Sequence, residues 1–100
     1  MNAAELARSA RTDSMPPAGL GAVQRVLWLA RAGRWDQAHD QCQDLPDPAG
    51  AWIHAWLHRE EGDSGNAAYW YRRAGQPVPE RSLDLDDEWL RIAAALSTDG

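Results

Sequence analysis

The sequence predicts an all-α fold, and three features carry that prediction. From Leu20 onward the apolar residues recur at three- and four-residue intervals, and no stretch alternates as a half-buried strand would. Gly33, Gly62, Gly75 and the prolines at 48, 77 and 79 stand where the periodic stretches break off. A shift of 29 residues also lays segment 27–38 over segment 56–67, with Gly33 on Gly62, Ala38 on Ala67, and Leu27 and Trp28 on Trp56 and Leu57. Each copy is a helix, a glycine-centred turn and a second helix.

Taken in order, residues 3–11 suit a helix too short to be stable alone. Ser14, Pro16, Pro17 and Gly19 after it read as a linker. Residues 1–18 are therefore expected as a flexible arm or short helix, ahead of one α-helical repeat domain over 19–100. In helix 20–32, Leu20, Val23, Val26, Leu27 and Ala30 share a face, and Gly33 stops it. Helix 35–45 aligns Trp35, Ala38, Cys42 and Leu45. Asp47 and Pro48 read as an N-cap followed by proline at the first helical position. They open helix 49–61, whose stripe is Trp52, Ile53, Trp56 and Leu57. Asp63 or Ser64 caps the next helix, which aligns Ala67, Trp70, Tyr71 and Ala74 before Gly75. Asp84 or Asp86 caps a last helix over 84–97, with Leu85, Trp89, Ile92, Ala93 and Leu96 inward.

Composition narrows the function. The chain has 100 residues, six Trp, no Phe and a net charge of −5. Five Trp (35, 52, 56, 70 and 89) fall on core stripes. Trp28 lies off its stripe and is expected as an exposed aromatic contact. The negative balance argues against nucleic acid, which needs clustered cations. No apolar run reaches the ~18 residues of a membrane span. A single cysteine, Cys42, excludes an internal disulfide and suits a reduced, cytoplasmic setting. The acidic run Asp84, Asp86, Asp87 and Glu88 reads as a first helical turn complementing the helix dipole.

The turn A-G-R-W-D-Q-A (32–38) and the segment G-D-S-G-N-A-A-Y-W-Y-R-R-A (62–74) resemble the tetratricopeptide-like helical-repeat superfamily. The likeness covers residues 20–79, with 84–97 as the C-terminal capping helix such arrays need. The stretch from Ala51 to Gly75 is also similar to a group of small uncharacterised bacterial proteins, a likeness that brings no activity with it. The superfamily resemblance implies two helical hairpins that bind a protein or peptide on a surface lined by their first helices. Carried over, that surface would hold Val23, Leu27, Ala30 and Arg31 in one copy and Trp52, Trp56 and Arg59 in the other. In that register His54 stands where a buried Leu is usual, and His54 and His58 point at the partner helix. A plain helical wheel instead sets His54 and His58 opposite the Trp52/Trp56 stripe.

All three histidines and the cysteine fall in two helical pairs, His39-x-x-Cys42 and His54-x-x-x-His58. Residues three and four apart share a helix face, as metal ligands on helices do. Cys42 also sits on an apolar stripe, where a thiol behaves as a small hydrophobe. No nucleophile stands at a catalytic spacing from a histidine, and no phosphate-binding glycine loop is present. The leading expectation is thus a non-catalytic, cofactor-free interaction module that binds a protein, a peptide or a second copy of itself. Its contact residues are Trp28, Arg31, Trp52, His54, Trp56, His58, Arg59 and the outward-pointing Tyr69. The alternative is a small-molecule or metal site at His39, His54 and His58.

Overall fold

The computed structural model describes residues 1–96, and over them it is all-helical. The helices are α1 (Ala3–Thr12), α2 (Ala22–Arg31), α3 (Trp35–Cys42), α4 (Ala49–Glu60), α5 (Ser64–Ala74) and α6 (Leu85–Leu96). Residue 97, the expected end of the last helix, lies outside the described residues.

Two helical hairpins, α2/α3 and α4/α5, form the centre. Their turns are the same structure repeated. Gly33 donates to the Ala30 carbonyl at 3.2 Å and Arg34 to that of Leu29 at 3.0 Å. In the second hairpin Gly62 donates to Arg59 at 3.1 Å and Asp63 to His58 at 2.9 Å. Both glycines are left-handed, at φ 80° and 88°, where a Cβ is strained. Asp63 caps α5 by accepting from the Asn66 amide at 3.2 Å. Asp47 does not cap α4 as expected: its carboxylate lies 3.0 Å from Arg73, and α4 has no side-chain cap.

Segment 1–18 is more than an arm. Asn2 and Glu5 close a reciprocal capping box on α1, with bonds of 2.9 and 2.8 Å. Leu6 is wholly buried, and α1 packs on α2 and α6. Tertiary burial supplies what so short a helix lacks alone. In turn α6 lies across α1, α2 and α4, so it caps both hairpins from the side of their first helices.

Indole N–H groups are satisfied inside this core. Trp28 donates to Ser9 Oγ at 3.0 Å, Trp35 to the Leu57 carbonyl at 2.8 Å, Trp56 to that of Leu85 at 3.0 Å, and Trp89 to that of Leu27 at 3.0 Å. A Phe-free core can therefore use tryptophan without orphaning a donor. Trp28 corrects the sequence expectation: it is fully buried, not exposed. The one-stripe reading assumed one packing partner, whereas α2 has α1, α3, α4 and α6 around it.

One glycine sets the approach of α3 to α4. A Cβ on Gly50 would lie 2.7 Å from the backbone oxygens of both Cys42 and Leu45. Glycine to alanine inside a helix ordinarily gains up to ~1 kcal/mol. Here the obstruction is backbone and cannot rotate away, so Gly50→Ala should instead cost ~1–3 kcal/mol, as overpacking does. Denaturant unfolding of the variant reads the sign directly, and a stabilised variant would contradict the packing described.

Candidate functional site

The closeness of α3 and α4 brings the three histidines together. His39 comes from α3, and His54 and His58 come from successive turns of one face of α4. One ring nitrogen from each lies within 4.8 Å of the others. His39 Nε2 and His54 Nε2 are 2.9 Å apart, the distance of a hydrogen bond between two imidazoles. The rings of His54 and His58 stack at 4.8 Å, and His39 meets His58 edge-on at 5.3 Å.

An aromatic wall surrounds the cluster. Trp35 stacks on His39 at 4.7 Å, and Trp70 stacks on His54 at 3.9 Å. His54 and His58 are buried, at 5% and 7% exposure, while His39 is half-buried. Burial holds the His54 pKa down at about 4, with His39, His58 and Arg73 adding repulsion. His54 is therefore neutral near pH 7. At His58, Nδ1 is 2.5 Å from Glu61 Oε2. The carboxylate accepts from Nδ1, so Nε2 is the nitrogen of His58 that would face a ligand.

Cys42 does not join the group. Its thiol donates to the His39 carbonyl at 3.2 Å. Burial, helped by Asp44, pushes the thiol up to about 12, so it is no nucleophile at neutral pH, and it lies outside the group of converging imidazole nitrogens. The Asp63 carboxylate also comes near His58 and Glu61, but it is held by the Asn66 amide and side chain.

The remaining residues of interest scatter. Trp56 is buried under α6. Arg31 is 3.3 Å from Asp86, and Arg59 is 2.9 Å from Glu88 and also donates to the Leu83 carbonyl. Trp52 is half-buried beside the 76–83 link, and only Tyr69 is exposed, at 45%. The face that the helical-repeat resemblance would offer to a partner is thus occupied by α6 of the same chain. Of the two orientations open for His54, the structure has the one directed at the neighbouring helix. The wheel misplaced it because α4 is buried on more than one side: Ile53, His54, Ala55, Trp56, Leu57 and His58 are all inside.

Four contributors were missed in the sequence. By spacing Trp35 and Trp70 are core residues alone, and nothing there singles out Glu61 or Arg73. The i,i+3 spacing of His58 and Glu61 was the one local signal, and it is too common to single out. Arg73 sits over the Trp70 ring at 5.1 Å. Compared with known proteins, the chain matches no family model, no curated protein and no solved structure. No helix among the described residues is long and apolar enough to cross a membrane.

Proposed function

We propose that this protein binds a divalent transition-metal ion of zinc type through His39, His54 and His58, tying its two helical hairpins together. The observation that carries this reading is the convergence of three imidazole nitrogens within 4.8 Å on two helices from different hairpins. Imidazole nitrogen suits zinc, copper and nickel, and three such ligands form a recognised zinc set. Tetrahedral zinc with bonds of ~2.0–2.1 Å sets its nitrogens ~3.3 Å apart. The 2.9 Å between His39 and His54 needs to open only slightly, as the metal replaces the hydrogen bond between them. The Glu61 carboxylate behind His58 is the outer partner that orients a metal-bound histidine. Protein recognition on the face of α2 and α4 would, by contrast, require α6 to leave.

Metal-stripped protein should take up zinc at one equivalent, and its melting temperature should rise with free zinc. At a hundredfold excess over Kd the gain is ~2.7 kcal/mol. His54→Ala should abolish stoichiometric binding while the circular dichroism remains helical. Glu61→Gln should weaken affinity ~10–100-fold, as loss of an outer-shell carboxylate does. Equal zinc binding by wild type and His54→Ala in calorimetry would refute the reading.

A further inference from the structure

Beside the histidine cluster lies a groove of about 340 Å³, with His54, Trp70 and Arg73 in its wall. His54 belongs both to the cluster and to this groove. We propose that the fourth coordination position of the metal takes an exchangeable oxyanion, a carboxylate or phosphate group, with Arg73 as its second anchor. The inference rests on the metal-binding reading above.

Three neutral imidazoles leave a tetrahedral ion one ligand short and dipositive. Two of the chain's own candidates for that position are engaged elsewhere: Cys42 donates its thiol to the His39 carbonyl, and Glu61 is held on His58 Nδ1. That position is open to a ligand from outside, in competition with Asp47 of the same groove. Next to a divalent cation, Arg73 adds a further positive charge at the groove, offset there by Asp47, so an anion that takes the place of Asp47 is the complementary ligand. Its guanidinium rests over the Trp70 ring at 5.1 Å, and the Tyr69 hydroxyl lies 3.5 Å away. These contacts hold the fork of donors that suits an oxyanion better than a point charge would.

Asp47 is a weak competitor for that fork. The Arg73–Asp47 pair is 3.0 Å long, with the two side chains 48% and 44% exposed. Exposed pairs of this kind are worth only ~0–1 kcal/mol, so an entering anion displaces Asp47 at little cost. The volume is at the small end of small-molecule sites, which run ~300–1,000 Å³. It fits a small organic acid or phosphate ester rather than a folded partner.

Cobalt(II) in place of zinc gives a visible spectrum that reports its coordination. Cobalt-loaded protein should respond saturably to sodium acetate or to sodium phosphate, and the two titrations distinguish a carboxylate from a phosphate ligand. Arg73→Gln should weaken the responding anion at least tenfold, Arg73→Lys should weaken it less, and Asp47→Asn should strengthen it. A cobalt spectrum silent to both anions, or one equally responsive in Arg73→Gln, would overturn the proposal and leave metal binding standing. Failure to take up cobalt at one equivalent would instead overturn both readings.

Discussion

Replacing Glu88 with alanine should lower the stability of this protein by ~3–5 kcal/mol, the loss expected when one partner of a buried ion pair is removed. Glu88 is 4% exposed. Its two oxygens accept from the Tyr71 hydroxyl at 2.5 Å and from Arg59 Nη1 at 2.9 Å. The carboxylate thereby ties α6 to α5 and α4. Burial and the neighbouring carboxylate push the Tyr71 pKa well above the ordinary phenol range, so the hydroxyl remains a donor at every physiological pH. In Glu88→Ala a largely buried guanidinium and a buried hydroxyl lose their shared acceptor, and each uncompensated group costs free energy. Against a typical total of ~5–15 kcal/mol, the variant sits near the edge of folding. Urea unfolding should show a lower midpoint with an unchanged slope. Glu88→Gln, which keeps one acceptor oxygen, should fall between. A loss below ~1 kcal/mol for Glu88→Ala would mean that water reaches the network and satisfies it.

Trp28→Ala should cost a comparable ~3–5 kcal/mol, the range for removing a large aromatic from a core. Trp28 has no exposed surface, and its indole donates to Ser9 Oγ on α1. Trp28→Phe should lose less, because most of the buried area remains and only the Ser9 bond and part of the ring are gone. The test separates docking from simple burial. Deleting residues 1–13 uncovers the α2 surface beneath Leu6, so Trp28→Ala in the shortened chain should cost clearly less than in the full chain. Additive losses would show that α1 contributes nothing to the Trp28 environment. A neutral Trp28→Ala would restore the exposed contact that the helical wheel had assigned to it.

Much of the helical framework was legible from local chemistry. The turn glycines, the Asp63 cap and the stripes Ala38/Cys42 and Ala67/Tyr71 stand as expected. The 29-residue shift (33 to 62) returned the same pair of turn hydrogen bonds. These features depend on residues a few positions apart, where backbone geometry leaves few alternatives. Glu88 shows where that logic stops. It was read as one of four acids in a first helical turn, yet it is the one drawn into the core, because Arg59 and Tyr71 on other helices meet it there.

Residue spacing is enough to show that the chain is helical, where its helices turn, and that its histidines fall in two helix-borne groups. Which faces meet follows from the packing of the helices on one another. Periodicity orients a side chain about its own helix axis and says nothing about how two axes cross. His39 and His54 approach to 2.9 Å because Gly50 lets α4 lie against the carbonyls at the end of α3. The same limit explains Trp28 and the covered first-helix face. A helix with neighbours on several sides has no single buried stripe, and those neighbours come from segments distant in sequence.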